Sequence, residues 1–144
     1  PMLDEFRAVV ADLTFRPATL PVVSTLTGAL ADDGLLTSPD YWTDQARRTV
    51  RFGDAVTTLG TLGATTFLEV GPGGSLAALA LATLGAPEDS CLAVLRKDGS
   101  EATGVLTALA ALHTRGVTVD WAALLGRATA AIGPDLPTYA FQHR

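Results

Sequence analysis

The run Thr66-Phe67-Leu68-Glu69-Val70-Gly71-Pro72-Gly73-Gly74-Ser75-Leu76 constrains this chain more than any other stretch. Its first half is apolar enough for a buried strand, and its glycines permit a tight turn. The Ala- and Leu-rich residues that follow suit a helix packed closely on a sheet. Strand, turn and helix in that order are the unit from which α/β proteins build their sites. The rest of the chain alternates in the same way. Residues 1–11 predict a helix with Pro1 in its first turn, Asp4 and Glu5 near its positive end, and an apolar stripe at Met2, Leu3, Phe6, Val9 and Val10. Residues 20–26 predict a short strand ending at Thr27 and Gly28, and Asp32, Asp33 and Gly34 predict a turn. Ser38, Pro39 and Asp40 open a helical stretch running towards Leu59, interrupted near Thr49 and Gly53. Residues 65–70 and 91–95 predict two further strands, and residues 75–84 and 101–114 two further helices. The second of these is amphipathic, with Ser100 as its N-cap and Gly116 just past its end. Residues 117–125 predict a short extended piece carrying Trp121, then a brief helix. This is an α/β layout, but three strands are few for a free-standing doubly wound sheet. They read as part of a larger one.

The glycine turn invites two chemical readings. As a phosphate cradle it lacks the third glycine of the dinucleotide fingerprint, since Leu76 stands there, and no Gly-Lys-Ser/Thr occurs. As a nucleophile elbow, Gly73-Gly74-Ser75-Leu76-Ala77 departs from G-x-S-x-G by one residue and has the strand–turn–helix context. A serine nucleophile also needs a base within hydrogen-bond reach. The chain offers only His113, late in a helix, and His143, near the C-terminus. Ser75 is therefore read as a helix N-cap, and His113 as a cation-capable residue at the negative end of a helix. A small serine hydrolase built on Ser75 stays open as a rival. Trp42 and Trp121 read as packing anchors. Tyr139 and Phe141 fall in a Pro-containing stretch where two aromatic rings imply docking on a surface.

Composition narrows the partners. A net charge of −5 with scattered basic residues argues against nucleic acid and against an anionic membrane. Arg47, Arg48 and Arg51 form one small basic group, read as a solvated helix face. Apolar residues make up 48% of the chain, yet polar residues, Gly or Pro break every run short of the roughly 20 residues of a membrane span. Some of that apolar surface is expected to pack against protein outside the chain. Cys91 is alone, which leaves neither a disulfide framework nor a cysteine-based metal site, and its apolar strand makes it a structural thiol. Lys97 is the only lysine, Ile132 the only isoleucine and Asn is absent, a bias expected of GC-rich, bacterial coding. The opening Pro1-Met2-Leu3-Asp4 has no basic and apolar signal regions, and a cytoplasmic location is expected.

Several ordered segments together resemble one family. Residues 1–6, then Pro21-Val22-Val23-Ser24-Thr25-Leu26-Thr27-Gly28, Tyr41-Trp42-Thr43-Asp44-Gln45 with Val50-Arg51-Phe52, Phe67-Leu68-Glu69-Val70-Gly71-Pro72-Gly73, and Leu136-Pro137-Thr138-Tyr139-Ala140-Phe141-Gln142 resemble the C-terminal part of an acyltransferase domain of a modular type I polyketide synthase. The last segment resembles the linker that follows that domain. The resemblance implies a partial α/β-hydrolase-like acyltransferase large subdomain with mostly parallel strands over residues 1–125, and an extended linker over residues 126–144. It implies a parent transferase that moves a malonyl or methylmalonyl extender unit from coenzyme A to an acyl carrier protein, as in antibiotic biosynthesis. No permanently bound cofactor is implied; acyl-CoA is the parent's substrate. The family's nucleophilic serine motif and base histidine are absent from these residues, so the chain alone is expected to be an inactive scaffold. The one site residue the resemblance carries over is Gln45, whose main-chain carbonyl would orient that histidine. Implied partners are the N-terminal part of the acyltransferase, the acyl carrier protein, and a ketosynthase and linker domain met through Tyr139 and Phe141. The alternative is a non-enzymatic interaction module that docks a ketosynthase or linker domain.

Overall fold

A computed structural model describes residues 2–96 and 99–126. The chain divides into two compact units, Pro1–Ala108 and Leu109–Arg144. The first contains α1 (Met2–Ala11), α2 (Pro39–Arg47), α3 (Phe52–Thr61), β1 (Phe67–Glu69), α4 (Ser75–Leu84) and β2 (Cys91–Ala93). Helix α5 (Glu101–Thr114) contains the division, and α6 (Trp121–Leu125) lies in the second unit.

In the first unit β1 and β2 pair in parallel, with Phe67 opposite Cys91, Leu68 opposite Leu92 and Glu69 opposite Ala93. A parallel pair needs a crossover, and α4 supplies it, packing on both strands. Its small side chains allow the close approach; Ala80 is buried. Helix α3 covers α4, and α1 lies against α2. The core is thin. It consists of Val10, Tyr41, Ala55, Val56, Ala80 and Ala108, while Val70 beyond β1 is 80% exposed and Leu20 is 75% exposed.

The helices and the βαβ unit match the sequence reading; residues 20–26 do not. They join no sheet and make a single antiparallel bridge, Val23 with Leu30. Local turn chemistry wins over β propensity here. The Ser24 hydroxyl accepts the amides of Leu26 and Thr27, and the Ser24 carbonyl accepts the Gly28 N–H at 2.8 Å. The segment thus folds back on residues 29–31, Ser24 N–H donating to Ala29 O at 2.9 Å and Ala31 N–H to Val22 O at 2.8 Å. Gly28 is required at the corner. Its φ is +73°, and a Cβ there would stand 2.6 Å from Asp54 Cβ.

Strands β1 and β2 are shorter than expected, each ending before residues 70 and 94. The expected interruption of the long helical stretch falls at residues 48–51, where Arg48 turns extended, and Gly53 lies inside the first turn of α3. The expected turn at Asp32 is built by its carboxylate, which accepts the amides of Gly34 and Leu35.

In the second unit α5 ends as the sequence predicts. Gly116 N–H donates to His113 O at 2.9 Å and Val117 N–H to Leu112 O at 3.2 Å, the paired bonds of a Schellman cap. Trp121 is the first residue of α6 rather than part of the extended piece, because Asp120 caps that helix, its Oδ1 accepting Ala123 N–H at 2.8 Å. Tyr139, Phe141, His143 and the linker from residue 127 lie outside the described residues. Among the described residues no helix is long and apolar enough to cross a membrane.

Candidate functional site

The turn between β1 and α4 holds its chemistry in Glu69. Ser75 is not the N-cap expected of it. Gly74 occupies that position, and Ser75 is the first helical residue. The capping acceptor comes from the strand instead, Glu69 Oε2 taking the Ala77 N–H at 2.7 Å. The anion-binding end of α4 is therefore already filled by the chain's own carboxylate. That closes the phosphate-cradle reading. The first unit contains no histidine, as His113 and His143 both belong to the second. His113 sits in the last turn of α5, and its ring meets Trp121 edge-on at 5.6 Å. Cys91 is a half-buried thiol at the start of β2, 3.9 Å from the Ser90 hydroxyl.

Around α2 the structure brings together three segments distant in sequence. Proline at its start and Asp40 in its first turn suit the positive end of the helix. The hydroxyls of Ser24 and Tyr41 share a buried hydrogen bond of 2.9 Å. One turn on, Gln45 Nε2 donates to Thr25 Oγ1 at 3.0 Å. The Thr25 carbonyl in turn accepts the Arg51 N–H at 2.7 Å, anchoring the start of α3. Trp42 is the packing anchor that the sequence implied. It stacks on Phe15 at 6.1 Å, meets Tyr41 edge-on at 5.1 Å, and its indole N–H donates to Leu36 O at 2.9 Å.

Among the described residues Gln45 has two acceptors without a partner. Its Oε1 is buried with no partner. Its main-chain oxygen is left over at the end of the helix: the last helical carbonyl to be taken is that of Asp44, by Arg48 N–H at 2.8 Å. Among the described residues no amide reaches the Gln45 oxygen, the usual condition of a carbonyl in a final turn.

The charges nearby are mostly paired. Arg48 meets Asp44 at 3.1 Å and Arg51 meets Asp54 at 2.7 Å, so two of the three clustered arginines are held by carboxylates on their own helical segments. Arg7 of α1 donates to Asp40 of α2 at 2.6 Å. That hydrogen bond, reinforced by the charge, holds the Asp40 carboxyl below its ordinary range and raises Arg7 above its own. An open cavity of about 500 Å³ lies beside α2, lined by Leu26, Thr27, Tyr41, Asp44, Arg48 and Arg51 among others.

No family model matches the chain. Individual proteins do. It is 46% identical over 144 residues to the polyketide synthase GfsB of Streptomyces halstedii, across 99% of this chain and 2% of that protein. To the phenolphthiocerol synthesis polyketide synthase type I Pks15/1 of Mycobacterium marinum it is 43% identical over 145 residues, across 100% of this chain and 7% of that protein. Among solved structures, the acyltransferase domain from the second module of the salinomycin polyketide synthase superposes with a TM-score of 0.82 at 48% identity, covering 98% of this chain and 32% of that one. Over nearly its whole length the chain is similar to acyltransferase domains of type I polyketide synthases. A further neighbour is the acyltransferase domain of SpnD in complex with 2-(pent-4-yn-1-yl)malonyl, with a TM-score of 0.74 and 33% identity, covering 81% of this chain and 29% of that one. The chain thus spans about a third of the solved acyltransferase domains it matches, and a few per cent of the polyketide synthases.

The sequence reading named Gln45 but neither its side-chain bond to Thr25 nor the Glu69 cap. A Thr near the end of a β-branched run carries no sign of a partner 20 residues on. The acidic residue before the glycine turn could have been read as a cap from the strand side.

Proposed function

We propose that this chain is the C-terminal part of an acyltransferase that transfers a malonyl-class extender unit, malonyl or methylmalonyl, from coenzyme A to an acyl carrier protein. The observation that carries the reading is the 48% identity to a polyketide synthase acyltransferase domain over 98% of the chain. The malonyl group bound to the SpnD acyltransferase domain supports the substrate class. In this reading the nucleophilic serine, its histidine base and the arginine that pairs with the extender carboxylate lie outside the chain, which acts as scaffold. The exposed apolar residues beside β1, Val70 above all, fit a surface covered by the rest of the domain. Acyl-CoA is a substrate, and no permanently bound cofactor takes part. The acyl carrier protein is a partner, and Tyr139 and Phe141 dock a ketosynthase and linker domain.

Within that domain the free Gln45 carbonyl would accept the histidine Nδ1–H. A carbonyl there fixes the ring orientation and the tautomer, leaving Nε2 unprotonated to take the serine proton, and it stabilises the imidazolium that forms. A backbone oxygen then does what a carboxylate does in a Ser-His-Asp triad.

The test is intact-mass spectrometry after exposure to malonyl-CoA and methylmalonyl-CoA, with the chain alone and with the upstream part of the domain added. An acyl adduct on the upstream part, formed only in the mixture, is the expected result and identifies the extender. An adduct on this chain alone would overturn the scaffold reading and direct attention to Ser75.

A further inference from the structure

We propose that Thr25 is the positioning residue for the Gln45 main-chain carbonyl, an inference that rests on the reading of that carbonyl as the acceptor for the histidine Nδ1–H. Helix α2 depends on its neighbours for its shape. At nine residues it is too short to hold itself together in water, so its last turn takes its shape from tertiary bonds. Two adjacent residues of one loop supply them. Ser24 holds Tyr41 through the shared hydroxyl bond of 2.9 Å, and Thr25 Oγ1 accepts from Gln45 Nε2 at 3.0 Å. Tyr41 and Gln45 are four apart and lie on one face of the helix. Ser24 is buried at 2% exposure and Tyr41 at 7%, so the inner of the two grips is rigid.

Thr25 is the outer grip, and it does something Ser24 does not. Its own carbonyl accepts the Arg51 N–H at 2.7 Å. One residue therefore pins the last turn of α2 with its side chain and the N-cap of α3 with its backbone, fixing both ends of the link over residues 48–51. The residue whose side chain it holds is the same one whose carbonyl is free. Anchoring the Gln45 side chain fixes its Cα, and with it the plane of the peptide between residues 45 and 46. Without Thr25 Oγ1 the last turn would be free to fray, and the carbonyl would lose a fixed direction. The Gln45 amide would also lose its one partner in a half-buried place.

The experiment uses the complete acyltransferase. Thr25→Val keeps the shape and removes the acceptor; Thr25→Ser keeps the acceptor. Thr25→Val is expected to lower kcat/KM for acyl-enzyme formation roughly ten- to a hundredfold, the scale of a misplaced reacting group. KM for acyl-CoA should hold. The acid limb of the pH–rate profile should move to lower pH, because an imidazolium without its acceptor is less stable. Thr25→Ser should restore both. Gln45→Met severs the same bond from the other side and should reproduce the loss even if Thr25→Val does not fold. A lowered unfolding temperature with rate and profile unchanged would overturn the proposal. Selective ¹⁵N labelling of histidine separates it from the reading beneath. If the wild-type enzyme shows no hydrogen-bonded Nδ1 proton, the Gln45 reading fails and Thr25 falls with it. If that proton is present and Thr25→Val leaves it unmoved, the assignment of Thr25 alone fails.

Discussion

Glu69 Oε2 accepts the Ala77 amide at 2.7 Å, so the last residue of β1 caps the N-terminus of α4 across the glycine turn. An ionised acceptor at a helix N-terminus gains from both the hydrogen bond and the helix dipole. Glu69→Ala is expected to destabilise the complete domain by about 1.5–3 kcal/mol, the range for hydrogen bonds to charged groups. Glu69→Gln, which keeps an acceptor and loses the charge, should cost less. Urea unfolding midpoints check both, and equal costs would show that charge contributes nothing.

Two glycines should be intolerant for different reasons. Gly28→Ala places a side chain at φ +73° and 2.6 Å from Asp54 Cβ, so strain and collision add. Gly104→Ala would ordinarily strengthen a helix interior by about 1 kcal/mol. Here its Cβ would stand 2.5 Å from the Val94 carbonyl oxygen, and backbone cannot give way as a flexible side chain can. The collision should win, with each variant losing on the order of 1–3 kcal/mol. Gly71 meets nothing within 4 Å, and Gly71→Ala is the near-neutral control for the same thermal unfolding series.

What the sequence showed and hid follows from the range of the forces involved. Helix ends were legible because caps are local. Ser75 to Leu84 and Glu101 to Thr114 fall within their expected bounds, and Gly116 closes α5 as composition implied. Residues 20–26 misled because β-branching announces extended backbone without saying what it pairs with. Ser24 diverted that backbone into a hairpin through bonds of its own hydroxyl. Ser75 misled for the converse reason. A serine after glycines resembles a cap, but Glu69, held in place by the strand, reached the helix end instead. The Gln45 carbonyl came from resemblance, whereas the bond of the Gln45 side chain to Thr25 is a fact of tertiary structure.

The Arg7–Asp40 pair predicts a pH dependence of definite sign. Asp40 titrates below its ordinary range because Arg7 donates to it, the charge adding to the effect. A carboxyl with a lowered folded pKa adds stability above its unfolded value, near 3.9, and that contribution is lost as pH falls through the lower folded value. Both side chains are exposed, 55% for Arg7 and 69% for Asp40, so the effect should be small and should shrink with salt. Asp40→Asn should unfold slightly earlier than wild type at neutral pH and low salt. The two curves should converge in acid. A gap that persisted unchanged below the carboxylate range would show that Asp40 acts on α2 by some other route.

Ser75→Ala should leave the acyltransferase as active as wild type. Ser75 is the first residue of α4, with no hydrogen bond of its hydroxyl among the described residues, and alanine is the better helix former. The unfolding midpoint should stay level or rise slightly, and the acyl adduct should form at the same rate. Loss of that adduct with the fold intact would revive the elbow reading of the glycine turn.

Backbone and side-chain roles at Gln45 can be separated one residue further on. Gln45→Ala removes the bond to Thr25 Oγ1 but leaves the main-chain carbonyl in place, its direction less firmly held. Ala46→Pro keeps the Gln45 side chain and disturbs the carbonyl directly. It removes the helical amide at position 46 and drives residue 45 away from helical backbone angles. The proline variant should therefore lose more acylation rate than the alanine variant. Circular dichroism and unfolding midpoints establish that both remain folded before rates are compared. If Gln45→Ala equals or exceeds Ala46→Pro in lost rate, the result counts against the backbone carbonyl as the group that orients the histidine.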